Sequence, residues 1–485
     1  MNPAPPSTDA HRTRPNIILL LIDDLGCRDL GGFGSTFYET PHLDRLAAGG
    51  MRFDNAYASC PVCSPTRASV LSGQYPARVG LTSFIGKVKD EGRLANVPFI
   101  HYLPLEQKSI ASALRDGGYQ TWHVGKWHLG DEDFYPEHHG FDRNIGGCHF
   151  GHPKEGFFAP WGIPTLEDAP EGTYLTDHLT DRAIDLIQQR GDTPFFLNFW
   201  HYAVHTPIQA PEPLVEKYRE KARRLRLDRM DPLVEGEYFP CIHKSDRRLT
   251  RRVVQSDPVY AAMIENLDTN VGRLLQVLDN EGIAENTLIV FSSDNGGLST
   301  AEGAPTCNHP MREGKGWTSE GGIRVCQFAS WPGVIPAGGT CRDNVTSTDF
   351  YPTFLEAAGL PFLPEQHCDG ISLLPAMTGS PALPDRPVFW HFPHYGNQGD
   401  SPSAAVIHGD WKLIFHYEDK TVELFNLRRD VSETVNEAAR HPDTRDRLLD
   451  LLENWQRGIN AKIPGPNPGW EQKLKRPRVE NNAHI

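Results

Sequence analysis

One segment of the sequence combines two cysteines with the signals that begin and end a helix. The segment reads Cys60-Pro61-Val62-Cys63-Ser64-Pro65-Thr66-Arg67 and continues Ala68-Ser69-Val70-Leu71-Ser72-Gly73. Ser64 is a favourable N-cap, Pro65 suits the first helical position and Gly73 suits the end, which predicts a short helix. Cys63 then lies at the helix N-terminus, where free N–H groups and the helix dipole favour an anion. Cys60 and Cys63 also form a C-x-x-C pair, so a redox pair and two buried cysteines are alternative interpretations.

Charged and metal-binding residue types follow four apolar segments that have the length of buried strands. The segments are 17–22, 119–124, 195–200 and 288–291. The residues that follow them are, in the same order, Asp23 and Asp24, Lys126 and His128, His205, and Asp294 and Asn295. Ligands of open parallel sheets bind outside the carboxyl ends of the strands, so we expect these side chains to share one site.

Four residues of this group would bind a metal ion through oxygen atoms. They are the carboxylates of Asp23, Asp24 and Asp294 and the amide oxygen of Asn295. Such a set suits a hard divalent cation, Ca²⁺ rather than Zn²⁺. A capping or turn role is the alternative for the Asp23–Asp24 pair.

The elements that must position these residues alternate between strand and helix. This pattern predicts an α/β fold with a large, mixed but mostly parallel sheet between layers of helices. The clearest helix runs from Pro258 to about Glu281, with Asp257 as N-cap and Gly282 after its end. Beyond residue 380, segments 406–408, 411–417 and 421–426 predict a smaller antiparallel sheet, followed by a helix that carries Leu448. We therefore expect a disordered tail over residues 1–14, a domain that holds the site over 15–380, and a smaller C-terminal domain over 381–485.

The composition excludes several functional classes. With 39% hydrophobic and 23% charged residues the chain is not disordered, and its net charge of −14 argues against a nucleic-acid partner. No apolar run reaches the roughly 18–20 residues of a membrane-spanning helix, so no membrane insertion is expected. Residues 1–15 lack the pattern of a signal peptide. As written the chain predicts a cytoplasmic protein, although a periplasmic or secreted protein without its export signal would look the same.

The segment around Cys63 resembles the signature of the type I, formylglycine-dependent sulfatases of the alkaline phosphatase superfamily, C-x-P-x-R followed by L-[ST]-G. Further blocks resemble the same family in the same order, with similarity to bacterial carbohydrate sulfatases. They are Pro15-Asn16-Ile17 to Asp23-Asp24-Leu25-Gly26, Thr40-Pro41-His42-Leu43-Asp44, Gly125-Lys126-Trp127-His128-Leu129-Gly130, His205-Thr206-Pro207, Ser293-Asp294-Asn295-Gly296-Gly297, and Gly314-Lys315-Gly316 with Glu320-Gly321-Gly322-Ile323-Arg324. The resemblance spans residues 15 to about 325 and implies an alkaline-phosphatase-like fold.

The resemblance implies a modified residue and a metal ion. In this family a formylglycine-generating or sulfatase-maturating enzyme oxidises the motif cysteine, and the hydrated aldehyde is the nucleophile; Cys63 would be that residue. One Ca²⁺ per chain would bind Asp23, Asp24, Asp294, Asn295 and the modified residue 63. A geminal diol can later release sulfate by collapsing to the aldehyde. A serine or an unmodified cysteine has no such route for releasing sulfate.

The remaining catalytic roles follow from the resemblance and from charge. Arg67, one helical turn after the cysteine, would hold the diol and the carboxylates on the metal side. Lys126 and Lys315 would bind sulfate oxygens and stabilise the charge that develops on them. His205 or Lys315 would protonate the leaving alkoxide, and His128 would take the proton that lets the diol collapse.

The expected substrate is a sulfated small molecule or glycan, with sugars of the galactose or N-acetylgalactosamine type as candidates. The segment Phe389-Trp390-His391-Phe392-Pro393-His394-Tyr395 resembles part of bacterial carbohydrate sulfatases. His391 and His394 are therefore candidate sugar contacts, with a domain interface as the equal alternative, and Arg324 is a further candidate. The basic stretch 217–252 is either a solvated helix face or a rim that attracts a polyanionic glycan.

Two other functions remain open on the sequence. A phosphonate monoester or phosphodiester hydrolase would share the C-x-P-x-R nucleophile. A glycan-binding protein without turnover would result if Cys63 were never converted. The sequence leaves the sugar, the position of the sulfate, endo or exo action, and the oligomeric state undetermined.

Overall fold

The computed structural model describes residues 14–86, 92–167, 169–379 and 382–470. The predicted disordered tail lies outside these ranges except for Arg14, and so do the last fifteen residues of the predicted C-terminal domain and the boundary at 380–381. The division into domains therefore stays a prediction. No helix in the described ranges is both long and apolar enough to cross a membrane.

The described residues form the following strands and helices. The strands are β1 (Asn16–Ile22), β2 (Met51–Phe53), β3 (Ala56–Tyr57), β4 (Gln120–Gly125), β5 (Arg143–Ile145), β6 (Phe195–Trp200), β7 (Leu233–Tyr238), β8 (Arg248–Arg252), β9 (Thr287–Ser293), β10 (Gln327–Ser330), β11 (Gly339–Cys341), β12 (Val345–Thr346), β13 (Val388–Phe392), β14 (Ser403–His408), β15 (Trp411–His416) and β16 (Val422–Asn426). The α-helices are α1 (Pro41–Ala48), α2 (Cys63–Ser72), α3 (Pro76–Val79), α4 (Ile110–Asp116), α5 (Leu175–Gln188), α6 (Glu212–Arg224), α7 (Pro258–Asn280), α8 (Glu320–Ile323), α9 (Phe350–Ala357), α10 (Leu374–Met377) and α11 (Pro442–Gly458).

The large sheet has the strand order β11-β2-β10-β9-β1-β6-β4-β5. Its five consecutive strands β9, β1, β6, β4 and β5 are parallel, whereas β10 runs antiparallel to both of its neighbours. All seven residues of β1 are buried, which requires cover on both faces of the sheet. The predicted α/β class with a mixed, mostly parallel sheet between helices is confirmed.

The clearest predicted helix is confirmed at both ends. α7 begins at Pro258, and the Asp257 side chain accepts hydrogen bonds from the N–H groups of Val259 and Tyr260 at 2.9 and 3.1 Å. This carboxylate satisfies two of the donors that a helix N-terminus leaves unpaired. Gly282 follows the helix with a φ of 68°, a left-handed conformation that glycine adopts without strain.

The predicted small antiparallel sheet is confirmed with one additional strand. Its order is β13-β14-β15-β16, and α11 packs on it through Leu448 and Leu452. The sequence analysis identified the last three strands and the helix. β13 was missed because its residues, Phe389-Trp390-His391 among them, were interpreted as substrate contacts.

A buried ion cluster joins the small sheet to the loop region around α8. Lys412 on β15 contacts Glu320 at 3.0 Å and Glu433 at 2.8 Å, and all three side chains are inaccessible to solvent. Glu433 also accepts a 2.7 Å hydrogen bond from the Glu320 N–H group. Because charges inside a protein are costly unless they are paired, each member depends on the others.

We predict that Lys412→Met strongly destabilises the protein, because it removes the cation shared by buried Glu320 and Glu433 and leaves them only Arg324 at 2.7 Å and Arg312 at 3.6 Å, respectively. The free energy of unfolding should fall by about 3 kcal/mol or more, measured by thermal or denaturant unfolding. Arg445→Ala is the control, since it removes an exposed ion pair with Asp446 and a long 3.5 Å hydrogen bond to Ala438 O, and should leave the midpoint nearly unchanged. Equal midpoints for both variants would contradict the assigned role of the cluster.

Candidate active site

Four neighbouring parallel strands, β9, β1, β6 and β4, bring their carboxyl ends to one edge of the sheet. Backbone hydrogen bonds continue beyond the last paired residues: Asp294 N–H donates to Ile22 O at 3.1 Å, and Lys126 N–H donates to Trp200 O at 2.8 Å. Asp23 N–H donates to Ala203 O at 3.1 Å. The residues after the strands are thus held as firmly as the strands themselves, and the predicted site residues lie together.

Three carboxylates and three cations pair at this edge. The pairs are Lys126 Nζ with Asp23 Oδ2 at 2.6 Å, Arg67 Nη2 with Asp294 Oδ2 at 2.7 Å, and Lys315 Nζ with Asp24 Oδ2 at 2.8 Å. Arg67 also reaches toward Asp23 at 3.8 Å, and its guanidinium lies 5.0 Å from the ring of Trp200. All six side chains are buried. They form a cluster in which three negative and three positive groups balance one another.

The oxygen atoms of this cluster suit a divalent cation. Asp23 Oδ1 and Asn295 Oδ1 are buried and have no hydrogen-bond partner among the described residues. Asn295 is held in place because its Nδ2 donates to Asp24 Oδ1 at 2.8 Å. Possible ligand atoms of Asp23, Asp24 and His205 lie within 4.8 Å of one another. Carboxylate and amide oxygens prefer Ca²⁺ or Mg²⁺ to softer metals, so the donor set fits the expected ion.

Asp294 differs from the other predicted ligands in its contacts. Its Oδ2 accepts a hydrogen bond from Arg67 Nε at 2.9 Å and lies 2.7 Å from Arg67 Nη2, and its Oδ1 accepts from Asp24 N–H at 3.3 Å. In this arrangement Asp294 orients Arg67 and the backbone at Asp24. It could also ligate a metal ion.

Burial and neighbouring charges shift the two adjacent aspartates in opposite directions. Burial, together with Asp294 and Asp24, raises the pKa of Asp23 well above its ordinary value, against the effect of Lys126. Burial would also raise the pKa of Asp24, but the charge of Lys315 outweighs it and lowers the pKa. A divalent cation would stabilise both carboxylates in the charged form.

Helix α2 begins two residues earlier than the sequence analysis predicts. Cys63 is its first residue, and Val62, with a φ of −138°, precedes it in extended conformation. The expected N-cap at Ser64 is therefore wrong: its Oγ instead accepts from Ile85 N–H at 3.2 Å, a contact across the chain that sequence spacing does not reveal. The predicted end at Gly73 is confirmed, with a φ of 67°.

Residue 63 faces His128. Cys63 Sγ lies 3.4 Å from His128 Nδ1, and His128 Nε2 lies 3.0 Å from Ile85 O. Because a carbonyl oxygen only accepts, Nε2 carries the proton and Nδ1 is free to accept one from residue 63. Burial, and then the charge of Lys126, hold the pKa of His128 well below its ordinary value, so the ring is a neutral base.

The C-x-x-C pair does not favour redox chemistry. Cys60 is buried, and burial raises the pKa of its thiol far above the ordinary value. Thiol–disulfide exchange requires a thiolate, which this environment disfavours. Thr66 Oγ1 also donates to Cys60 O at 3.1 Å, so this segment is fixed as a structural turn before the helix.

His205 and Lys315 form a second hydrogen-bonded pair. His205 Nδ1 lies 2.8 Å from Thr206 O, so this nitrogen carries the ring proton, and Nε2 accepts from Lys315 Nζ at 3.0 Å. Burial and the Lys315 charge lower the pKa of His205 well below its ordinary value. Burial would lower the pKa of Lys315, but Asp24 outweighs it and the pKa is raised. The lysine is thus the protonated member of the pair.

A cavity of about 450 Å³ opens above these residues. Cys63, His128, His205 and Lys315 form part of its lining. The sequence analysis did not identify the other polar lining residues, which are His149, His152, Lys154, Glu302, Asn397 and Gln398. None belongs to a recognisable motif, although a His-Pro-Lys run shortly after a strand was a signal that could have been noted.

Two predicted sugar contacts are not brought to this cavity. His391 lies on β13, 5% exposed, with Nδ1 2.7 Å from the Tyr417 hydroxyl. His394 is completely buried and its Nε2 lies 2.8 Å from Thr82 Oγ1. The structure corrects the expectation of direct substrate contact in favour of the packing alternative, because both rings are used in contacts within the protein.

Arg324 is also placed away from the cavity. Its Nε contacts Glu320 Oε2 at 2.7 Å and its Nη2 donates to the Tyr57 hydroxyl at 2.7 Å. It borders a separate surface cleft with Asp54. Its role in this structure is to neutralise Glu320, so the expected substrate contact is corrected.

The basic stretch 217–252 is divided between α6 and the β7–β8 hairpin. Lys217 contacts Glu39 and Glu265 at 2.7 Å each, and Arg251 contacts Glu313. Several of its charges are thus neutralised by carboxylates on other elements. Its function stays open between a solvated face and an anion-attracting rim.

Comparison with known proteins identifies the family. The family model described as Sulfatase matches residues 15–360, and the one described as N-sulphoglucosamine sulphohydrolase, C-terminal, matches residues 314–457. A protein named Sulfatase from Formosa agariphila is 33% identical and covers 96% of this chain and 92% of its own. N-acetylgalactosamine-6-sulfatase of Canis lupus familiaris is 32% identical over 93% of this chain and 81% of its own.

Among solved structures, Ps i-CgsB in complex with k-i-k-neocarrahexaose is similar, with a TM-score of 0.73 and 29% identity over 91% of this chain and 93% of that chain. The similarity extends over both the large and the small sheet. Together with a charged cluster that can hold a divalent ion beneath a cysteine at a helix N-terminus, these matches show that the chain belongs to the sulfatase family and is a sulfuric ester hydrolase.

Proposed function

We propose that this sulfatase removes sulfate from a sulfated carbohydrate, with residue 63 converted to formylglycine and one Ca²⁺ bound beside it. The observation that carries the proposal is the position of Cys63, at the first residue of α2 and 3.4 Å from a neutral His128. Sulfatases generally use formylglycine and a metal ion; the family match supports the first assignment, and the buried acidic cluster supports the second.

The two absent groups supply chemistry that the unmodified chain lacks. Formylglycine, when hydrated, provides an oxygen nucleophile that can later release sulfate and return to the aldehyde. A Ca²⁺ held by Asp23, Asp24 and Asn295, with Asp294 and residue 63 as further ligands, would acidify that nucleophile and neutralise charge on a sulfate oxygen. Cys63 is only 3% exposed in the folded chain, so we expect the maturation enzyme to act before folding is complete.

The chain's own residues divide the proton transfers between two sites. His128 Nδ1 accepts the proton from residue 63, since its other nitrogen is bound to Ile85 O. When the S–O bond to the sugar breaks, its electron pair stays on the leaving oxygen, which takes a proton from Lys315 Nζ. Asp24 and His205 hold that ammonium group in place. Of the two candidates for the acid, the structure favours Lys315 because His205 is neutral and donates its only proton to Thr206 O.

Arg67 and Lys126 act through charge. Arg67 joins Asp294 to the carbonyl of Lys126 at 3.1 Å, which ties the ends of β9 and β4 together. Lys126 Nζ contacts Asp23 Oδ2. With a metal ion bound to the same carboxylate, Lys126 would be available to bind a sulfate oxygen. The site would then carry an excess of positive charge that matches an anionic ester.

The carbohydrate assignment is supported by the relatives. One similar protein is named N-acetylgalactosamine-6-sulfatase, and one similar structure was solved with k-i-k-neocarrahexaose. The polar and aromatic cavity over Cys63 suits a sugar, since His149, Phe150 and Gln398 offer ring faces and hydrogen-bonding groups. Galactose and N-acetylgalactosamine types remain the candidate sugars.

Replacing Cys63 tests the nucleophile. We predict that Cys63→Ala lowers turnover of a sulfated sugar by at least about 10³-fold, because the variant cannot form the geminal diol that attacks sulfur and later releases sulfate. Intact mass should show the wild-type residue converted to formylglycine. Cys60→Ser is the matched control and should retain most of the activity. A residue 63 that stays an unmodified thiol in natively produced protein, together with no turnover, would instead favour a glycan-binding protein.

Removal of the metal tests the carboxylate cluster. We predict that EDTA abolishes turnover, that Ca²⁺ restores it, and that Asn295→Ala weakens Ca²⁺ binding measured by calorimetry, because Asn295 Oδ1 is one of the orphaned oxygens. Thr300→Ala is the control, since its hydroxyl contacts Trp317 and the Gln398 backbone and none of the described carboxylates of the cluster. Undiminished activity in protein shown to be free of metal would contradict the assignment.

Substrate preference separates the two hydrolase functions. We predict a higher kcat/KM for a sulfate monoester than for a phosphonate monoester or phosphodiester with the same leaving group. All three esters carry one negative charge, so charge alone does not separate them, and the preference is expected because the matching family model and the similar proteins are sulfatases. A clear preference for the phosphorus ester would overturn the carbohydrate sulfatase proposal.

A further inference from the structure

The loop after β5 forms a large part of the cavity wall without taking part in the proposed chemistry. Five of its residues line the cavity, His149, Phe150, Gly151, His152 and Lys154. No resemblance or predicted role in the sequence analysis touches this loop. Its side chains nevertheless combine one positive charge, two imidazoles and an aromatic ring at the entrance to the reacting centre.

Lys154 differs from the other cations of the site in its contacts. Its Nζ lies 3.8 Å from the centre of the Phe150 ring, a cation–π contact. In the part of the chain that the structure describes, no carboxylate lies within 4.0 Å of this ammonium group. Arg67, Lys126 and Lys315 are each paired with an aspartate. Lys154 is exposed, so its charge is available to a ligand in the cavity.

The two histidines of the loop fix its position beside the reacting centre. His152 lies parallel to His205, with ring centres 5.9 Å apart and an angle of 5°. His149 Nδ1 lies 2.8 Å from the Tyr135 hydroxyl, and its ring packs edge-on against Phe150 at 4.5 Å. Because Phe150 in turn supports Lys154, the loop holds the ammonium group against the cavity by ring contacts rather than by an ion pair.

Another part of the lining is negative. Gln398 Nε2 donates to Glu302 Oε1 at 2.8 Å, and the Glu302 charge contributes to the raised pKa of Lys315. A substrate anion is therefore repelled at Glu302 and attracted at Lys154. This polarity would orient a sugar that carries a charge in addition to the sulfate that is removed.

We propose that Lys154 binds a second anionic group of the substrate, a carboxylate or a second sulfate on the reacting sugar or its neighbour. The proposal rests on the carbohydrate assignment above and makes it more specific. Lys154 is then a specificity-determining residue, which contributes to substrate binding and not to bond cleavage.

The test measures binding in Ca²⁺-loaded Cys63→Ala protein, which cannot turn the ligand over. Calorimetry compares three sulfated disaccharides: one with a neutral second sugar, one with a uronic acid and one with a second sulfate. We expect Lys154→Ala to weaken binding of a doubly charged ligand roughly tenfold, the loss of one charge-assisted hydrogen bond, and to leave the singly charged ligand within about twofold. If Lys154→Ala weakens binding of the uronic acid disaccharide, Lys154 recognises a carboxylate. If it weakens binding of the doubly sulfated disaccharide, Lys154 recognises a second sulfate.

Two further variants exclude a merely structural effect. Lys154→Arg should restore most of the affinity, and Lys420→Ala, which removes an exposed lysine near a different cavity, should leave it unchanged. An equal loss for all three ligands, or a parent protein without preference for a doubly charged ligand, would overturn the role of Lys154. Turnover of 4-nitrophenyl sulfate by the wild-type enzyme is measured separately: its absence would count against the proposed function, whereas the binding series alone decides the role of Lys154.

Discussion

The mutual neutralisation of three buried carboxylates and three buried cations is the constraint on which the site depends. Asp23, Asp24 and Asp294 lie in the protein interior, and each faces a lysine or an arginine at 2.6–2.8 Å. Removing a partner from such a pair leaves an uncompensated charge, which costs several kcal/mol. Since these residues come from the ends of separate strands and from a helix, their pairing fixes the relative positions of those elements.

This balance also explains how a chain with a net charge of −14 handles an anionic ester. The global charge acts weakly at a distance because salt screens it beyond about 10 Å, whereas groups in a buried cluster interact at short range and low dielectric. A divalent ion bound to this cluster would give it a net positive charge, and the local field at the cavity would then be opposite to that of the surface.

The sequence predicts the four strand ends because each strand is a short apolar run followed by polar residues, and that pattern is local. It does not reveal that β9 lies beside β1 or that β10 runs antiparallel, since pairing between distant segments leaves no periodic signal. The N-cap at Ser64 was wrong for the same reason: its hydroxyl is used by Ile85, twenty-one residues away. His391 was misjudged because an alternating strand in the small sheet and a sugar-binding segment share aromatic and imidazole residues. Lys154 was missed because its significance lies in having no acidic partner among the described residues, which only three-dimensional structure shows.

The small sheet contributes to the site through the loop that carries Lys315. Gly316 N–H donates to Pro61 O at 2.8 Å, which joins this loop to the turn before Cys63. A few residues later the same loop enters α8, where Lys412 and Glu433 of the C-terminal part bind the side chain and backbone of Glu320. The position of Lys315 relative to residue 63 is thus set at two points, one at the turn before Cys63 and one at the contacts of Glu320 with Lys412 and Glu433. Because a misplacement of about 1 Å can reduce catalysis by two orders of magnitude, a C-terminal part that touches no reacting atom still has a direct physical route to activity.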